Sequence, residues 1–371
     1  MKVGALTWSG PLRGPGSRGR GCSGSGRAPR GCALRAEGLK VTAKAHPNLA
    51  LVKYWGKVDE ELNIPASSSI SVNLSGAATT TTVVFVPGAE ADSVTIDGQA
   101  APSKAYLRVV KHLDRVRQLA GITTRAKVES WNDFPASAGI ASSASAFAAL
   151  SLAASRAAGL SLTERELSIL ARKGSGSACR SIPDGFVEFV AGSTDETAYA
   201  RQLFPPEHWD LRIITVILEG GPKEVPSSEG HRAAQTSPFY AAWLAALPPT
   251  LETVRRALAE RDLGTLGMAV ERQAMAMHAV AMTSSPAGRE WLSGIYYWAP
   301  GTVALIRAVQ DWRRQGLRVY LTIDAGANVH LLCEAPDQGE LEGELGRLLP
   351  ALGGRYLVSR PAVGARIIGE E

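Results

Sequence analysis

The 371-residue chain is 45% apolar and 20% charged, which excludes a wholly disordered or fibrous protein and suits one large or two ordinary domains. Its net charge of +5 divides into +7 over residues 1–40 and −2 over the remainder, so no basic face for nucleic acid continues into the body. No apolar run reaches the length of a membrane span, which excludes a helical membrane protein.

Residues 1–40 are rich in Gly, Arg and Ser and have no hydrophobic periodicity. Such a segment cannot bury enough apolar surface to offset its ordering entropy, so it is expected to be disordered. It lacks the apolar centre of a secretory signal; a transit peptide or an upstream extension of the reading frame fits the composition as well as any function does. A nucleic-acid-binding role would confine activity to this tail and give steep salt dependence. Cys22 and Cys32 lie in the tail and Cys179 and Cys333 in the body, without a Cys-x-x-Cys pair, and the six histidines are scattered. A zinc site or disulfide framework is not expected, in keeping with a reducing cytoplasm.

From residue 41 the chain reads as mixed α and β. The segments "SSSISVNL" (67–74) and "TTTTVVFVP" (79–87) alternate and predict two paired strands, and "VTIDGQ" (94–99) predicts a hairpin. In "KAYLRVVKHLDRVRQLAG" the spacing of Leu107, Val110, Leu113, Val116 and Leu119 predicts a helix closed by Gly121. A strand, "TRAKVES", leads into "NDFPASAGIASSASA" (132–146), which opens an Ala-rich helix ending near Gly159. The next segment, "SLTERELSILARKG", carries an N-cap pattern in Ser161/Thr163 with Glu164 and Glu166 in the first turn. After about residue 195 the pattern becomes a strand (211–218), a helix-rich stretch (229–282) and a helix at 301–316. Two strands (317–324 and 328–335), a helix (339–349) and a strand (355–360) complete it, a second α+β layer structure without internal repeats.

Four segments combine polar groups with tight backbones. The Ser/Ala/Gly-rich opening of the helix after residue 134 lacks the Gly-Lys-Ser/Thr of a Walker loop. Small residues there either bring backbone N–H groups against a phosphate or simply permit close helix packing. "KYWGK" (53–57) places two lysines to clamp an anion, or ends a strand with solvated lysines. "RKGSGSACRS" (172–181) combines freed backbone with Ser175, Ser177 and Arg180, whose guanidinium suits a bidentate grip on carboxylate or phosphate. In "TIDAGANVH" (322–330) Asp324 emerges from an apolar strand, where a carboxylate is costly unless paired or used; an Asx-turn between strands is the structural alternative.

Taken in order, "KYWGK", "FPASAGIASSAS", "GSGSACRS", "DETAYARQL" and "DAGANVH" resemble the mevalonate diphosphate decarboxylases of the galactokinase/homoserine kinase/mevalonate kinase superfamily, from about residue 41 to the C-terminus. The resemblance implies an α+β, two-lobed fold. Residues 41–195 would form a nucleotide- and substrate-binding lobe like ribosomal protein S5 domain 2. Residues 196–371 would form a ferredoxin-like lobe carrying the catalytic Asp. It implies ATP and Mg2+ as cofactors and a mevalonate phosphate ester as substrate, with no nucleic-acid or membrane partner, in a cytoplasmic homodimer. ATP would phosphorylate the tertiary 3-hydroxyl, and loss of that phosphate with CO2 would leave an alkene.

By the same resemblance Asp324, Lys53 and Arg180 are catalytic, with Arg180 on the C1 carboxylate. Tyr54, Trp55, Gly56, Lys57, Arg108, Ser175, Gly176, Ser177, Ala178, Cys179 and Ser228 would line the substrate. Ser137, Ala138, Gly139, Ile140, Ala141, Ser142 and Ser143 would cradle ATP, and no residue is assigned to the metal.

Three departures stand out: Ala327 replaces a proline, Pro183 and Asp184 follow the "GSGSACRS" loop, and Glu229 and His231 flank Gly230 where relatives carry a methionine and sometimes an arginine. An acid near a 5-diphosphate would repel it, which favours a monophosphate substrate, whereas Lys57 and Arg108 favour the diphosphate. A superfamily kinase without decarboxylation is the further alternative.

Overall fold

The computed structural model describes residues 38–134, 142–218 and 223–371; the expected disorder of residues 1–40 falls almost wholly outside them. Eight α-helices lie among the described residues: α1 (Ser103–Ala120), α2 (Ser142–Ala157), α3 (Glu164–Gly174), α4 (Ser227–Ala233), α5 (Tyr240–Glu260), α6 (Leu263–Met282), α7 (Pro300–Arg314) and α8 (Gln338–Leu352). None is long and apolar enough to cross a membrane.

Three larger sheets and a two-stranded one, Lys57–Asp59 with Ile64–Pro65, organise the described body. The first runs Arg366–Glu370, Val41–Ala45, Thr79–Val86, Arg125–Asn132, Ser93–Ile96, Gln99–Ala100. Strict alternation in Thr79–Val86 turns Thr79, Thr81, Val83 and Phe85 inward. Helix α2 covers this face, and its small residues let it approach closely: Ser145 Oγ lies 2.7 Å from Thr79 Oγ1. Close packing is therefore one real use of the Ala/Ser-rich composition.

The second sheet runs Tyr199–Phe204, Phe186–Val190, Ser69–Asn73, Asn48–Val52. The two strands expected to pair, 67–74 and 79–87, do not. Ser69–Asn73 pairs with Asn48–Val52 and Phe186–Val190, whereas Thr79–Val86 pairs with Val41–Ala45 and Arg125–Asn132. Gly76, in the left-handed region at φ 76°, lies in the connection between the two sheets. The predicted hairpin at 94–99 forms, between Ser93–Ile96 and Gln99–Ala100.

The third sheet, antiparallel throughout, runs Tyr320–Ile323, Val329–Glu334, Leu211–Ile217, Arg355–Ser359. All seven residues of Leu211–Ile217 are buried because both faces are covered. Leu211 and Ile213 join α5 and α6 residues such as Val254 and Val270, while Ile214 and Val216 join Leu305 of α7 and Leu345 of α8. This explains a continuous apolar run where alternation would mark a half-exposed strand.

Helix α1 forms as expected and closes on Gly121 at φ 65°. Its apolar face is narrower than the sequence suggests: Leu113 and Val116 are fully buried, but Leu107 and Leu119 are exposed. A repeat of three drifts around a helix of 3.6 residues per turn, so both ends of the series leave the core.

Helix α3 carries the expected capping box. Thr163 Oγ1 accepts from Glu166 N at 3.3 Å and Thr163 N donates to Glu166 Oε2 at 2.8 Å. Because α3 delivers the Gly174–Ser177 loop, this cap anchors part of the site. Thr163→Ala is expected to lower unfolding free energy by about 1 kcal/mol in urea titration, with the midpoint shifted and the slope unchanged.

Candidate active site

The strand Asn48–Val52 ends at Lys53, and the strand Tyr320–Ile323 ends at Asp324. The two side chains meet where the second and third sheets approach. Lys53 Nζ donates to Asp324 Oδ1 at 2.6 Å and to the Ala50 carbonyl at 2.9 Å. Lys53 is buried, whereas the Asp324 side chain keeps 33% of its surface open. The pairing overrides the Asx-turn alternative. The turn is tied instead through Gly326 N to Asp324 O at 2.7 Å and Thr302 Oγ1 to the Ala327 carbonyl at 2.6 Å. The second bond anchors the turn at Ala327.

Burial alone would push the Asp324 carboxyl up, but Lys53, His330 and Arg180 outweigh it and hold its pKa at about 2. Burial also lowers the pKa of Lys53, and Asp324 offsets this only in part. At neutral pH the carboxylate is ionised.

Arg180 sits in the short turn Gly176–Ser181 that follows α3 and is 3% exposed. Nε donates to Asn48 Oδ1 at 3.1 Å and Nη1 to Ser69 Oγ at 2.8 Å, and the guanidinium lies 5.8 Å from the Tyr54 ring centroid. Burial lowers its pKa, while Cys179, Asp324 and Tyr54 act in the opposite direction. Among the described residues Nη2 has no hydrogen-bond partner, which leaves it available to a ligand. In the same loop Ser175 Oγ lies 3.4 Å from both Ser177 Oγ and Ser143 Oγ, joining it to the start of α2. Gly176 must be glycine, because a Cβ there would collide with the Tyr54 hydroxyl.

These groups open into one cleft of about 1040 Å³. Of the sequence-predicted residues, Lys53, Tyr54, Trp55, Lys57, Arg108, Ser142, Ser143, Ser175, Gly176, Ser177, Arg180, Ser228 and Asp324 line it. Gly56, Ala178 and Cys179 do not; Ala178 and Cys179 are buried in the cores behind the loop. Ser137, Ala138, Gly139, Ile140 and Ala141 lie outside the described residues.

Glu229 does not line the cleft and accepts from Arg289 Nε at 3.3 Å, so the expected repulsion of a diphosphate by this acid is not what the site presents. Besides Asp324, the acids on the cleft wall are Glu60, Glu61 and Glu224, with Glu60 accepting from Lys57 Nζ at 3.0 Å.

Sequence reasoning missed Asn48, which accepts from Arg180 and donates to the Ser177 carbonyl at 3.0 Å and to Ser181 Oγ at 2.8 Å, fixing the arginine and its loop together. It also missed Lys104, Lys111 and Arg115, which line the cleft alongside Arg108. Their spacing of four, three and four residues marks one helical face, a signal present in the sequence. Arg108 Nη2 reaches the Gly174 carbonyl at 3.2 Å and Arg115 Nη1 the Lys173 carbonyl at 2.7 Å, so the row also supports the serine loop.

The cleft unites a buried cation paired with a partly open carboxylate, a buried guanidinium with a donor unpartnered among the described residues, a serine cluster and a row of cations. Such a set can hold a carboxylate and phosphates while presenting an ionised acid to a hydroxyl. Among the described residues no three His, Cys, Asp or Glu side chains cluster to hold a metal. A Mg2+ carried by nucleotide phosphates needs only one or two protein oxygens, and the Ser142 and Ser143 hydroxyls on the cleft wall fit that demand.

Residues 45–200 match the diphosphomevalonate decarboxylase-like N-terminal domain, and residues 213–355 the mevalonate 5-diphosphate decarboxylase C-terminal domain. The phosphomevalonate decarboxylase of Haloferax volcanii is 35% identical over 79% of this chain and 88% of its own. The crystal structure of mevalonate diphosphate decarboxylase from Staphylococcus aureus superposes with a TM-score of 0.84 at 36% identity, covering 89% of this chain and 98% of the other. The complex of MDDEF with MVAPP, AMPPCP and magnesium does so with a TM-score of 0.82 at 36% identity, covering 89% and 99%. Both halves of the sequence and the fold that joins them agree: the chain belongs to the diphosphomevalonate decarboxylase family.

Proposed function

We propose that this chain catalyses the ATP- and Mg2+-dependent decarboxylation of mevalonate 5-diphosphate to isopentenyl diphosphate, through transient phosphorylation of the 3-hydroxyl. The carrying observation is that Asp324, paired with Lys53, and Arg180, whose Nη2 has no partner among the described residues, face one cleft that also holds Ser143 and Ser175. The ligands of the MDDEF complex support the choice of substrate, nucleotide and ion.

A tertiary hydroxyl is a poor leaving group until it becomes a phosphate ester. Phosphoryl transfer asks the protein mainly for alignment and charge neutralisation. With a pKa of about 2, Asp324 is a weak base. Its carboxylate therefore orients the hydroxyl by accepting its hydrogen bond, and the proton is shed late, onto this carboxylate or a phosphoryl oxygen. Lys53 keeps the carboxylate ionised and fixed. Arg180 holds the C1 carboxylate with Ser177 beside it. As the C3–O bond breaks, phosphate leaves with its electron pair, positive charge grows at C3, and Asp324 stabilises it. The C1–C2 electrons then form the C2=C3 bond and CO2 departs. Ser142 and Ser143 belong to the nucleotide side; Tyr54, Lys57, Arg108, Ser175 and Ser228 belong to the phosphate ester. On this reading residues 41–195 and 196–371 supply the two lobes of a cytoplasmic homodimer, symmetry being the common state of such enzymes.

A second reading, decarboxylation of the 5-monophosphate to isopentenyl phosphate, is favoured by the Haloferax volcanii relative and by the engagement of Lys57 with Glu60, which leaves less free charge for a second phosphate. The deciding experiment supplies Mg-ATP with mevalonate bearing zero, one or two 5-phosphates and measures ADP and CO2. Equimolar ADP and CO2, with the higher kcat/KM on the diphosphate, are expected. A higher value on the monophosphate selects the second reading, and ADP without CO2 overturns both in favour of a kinase.

A further inference from the structure

His231 occupies α4 three residues after Ser228, on the same helical face, and both line the cleft. Its Nδ1 accepts the backbone N–H of Gly56 at 3.0 Å. A backbone N–H cannot accept, so Nδ1 must keep its lone pair, and the single proton of the neutral ring sits on Nε2. The ring is held in this orientation between Tyr54, at 4.4 Å between centroids, and Trp55, at 4.7 Å. Flipping it would strip Gly56 N–H of its acceptor. Gly230 presses α4 against the same wall, because a Cβ there would lie 2.6 Å from both the Trp55 ring and the Tyr297 hydroxyl.

The other ring nitrogen, Nε2, has no hydrogen-bond partner among the described residues and is not sealed from the cleft. Burial first, then the charges of Lys57 and Arg180, hold the imidazole pKa at about 3, so the ring enters catalysis neutral. A fixed, neutral, desolvated N–H donor on a cleft wall calls for an acceptor on the ligand. Resting on the function proposed above, the candidates are the C1 carboxylate, the nucleotide and the 5-phosphoryl end. The carboxylate has Arg180, and the nucleotide side lies at α2. His231 shares its wall with Lys57, next to Gly56 in the chain, and with Ser228.

We propose that His231 binds the 5-phosphoryl group of the substrate by donating Nε2–H to a non-bridging oxygen, with Gly56 N–H fixing the tautomer that makes this possible. The imidazole supplies direction without charge and complements the point charge of Lys57.

His231→Met removes the donor at similar volume. It is expected to raise KM for the mevalonate 5-phosphate ester by roughly 10- to 100-fold, the range for a hydrogen bond to a charged group, with KM for ATP unchanged. His231→Gln, whose amide accepts at one end and donates at the other, should recover part of the loss. Unphosphorylated mevalonate, which lacks the acceptor, should react equally with wild type and His231→Met. Titration calorimetry of wild type and both variants with mevalonate 5-phosphate and 5-diphosphate reads the same contact without turnover, and matched thermal midpoints exclude a folding defect. An unchanged ester affinity in His231→Met, or an equal loss on unphosphorylated mevalonate, overturns the inference. Absence of CO2 from wild type with every ester would overturn the decarboxylase reading instead, while calorimetry still decides His231.

Discussion

Replacing Asp324 by asparagine is expected to lower kcat by roughly 10,000-fold, since orientation of the hydroxyl and stabilisation of charge at C3 are lost together. Nucleotide affinity should hold, because the role proposed for Asp324 is toward the 3-hydroxyl and not toward the nucleotide. Single-turnover assays of ADP and CO2 beside fluorescence titration with a nucleotide analogue check both halves. If CO2 release survives, or nucleotide affinity falls in parallel, the role given to Asp324 is wrong.

The same variant strands Lys53, whose side chain is 3% exposed and whose ammonium, among the described residues, donates to Asp324 and the Ala50 carbonyl. Breaking one side of a buried pair leaves the other charge uncompensated, so the thermal midpoint should fall. The double variant Lys53→Met/Asp324→Asn should regain much of that stability and none of the activity. The pH dependence has a definite sign. The folded Asp324 pKa of about 2 lies below its ordinary 3.8, so its stabilising contribution is complete above pH about 4 and is lost as pH falls toward 2. An activity limb between pH 5 and 7 therefore does not report Asp324.

The second large effect concerns Arg180. Arg180→Ala should cost at least roughly 1,000-fold in kcat/KM for the mevalonate ester, combining a lost charge-assisted contact with lost alignment. Arg180→Lys should recover little. An ammonium keeps the charge but cannot reproduce a planar fork that meets Asn48 and Ser69 and leaves a third nitrogen for the ligand. Stopped assays with ester varied at saturating ATP test this. Full activity in Arg180→Lys would show that charge alone suffices, and a defect confined to KM for ATP would place the guanidinium at the nucleotide.

Much of this site was readable from the chain, because the chemistry sits in short segments whose residue types admit few uses. A carboxylate leaving an apolar strand, a Gly-Ser loop ending in arginine and a Lys-aromatic turn each signalled that polar groups were held at a cost. What the segments could not state was their mutual placement. That Lys53 meets Asp324 rather than solvent depends on two strands 271 residues apart in sequence. The split of 69–73 and 79–86 into different sheets was hidden because alternation fixes a strand's faces and not its neighbours. The cationic row of α1 was visible in its spacing but eclipsed by apolar residues, two of which proved exposed. His231 stood out in the sequence only as a departure beside Gly230; a histidine in a short helix acquires a role only once Gly56 is seen to fix its proton.

The strand Arg366–Glu370 lies against Val41–Ala45, and Lys40 and Glu371 exchange backbone hydrogen bonds at 3.0 and 2.9 Å. During synthesis on the ribosome, the outer rim of Val41–Ala45 must wait, unpaired, for more than 300 further residues to emerge. Until then it is an open template for another strand. Folding of the first half is thus not finished vectorially, and the two halves produced as separate polypeptides should stick to themselves until mixed.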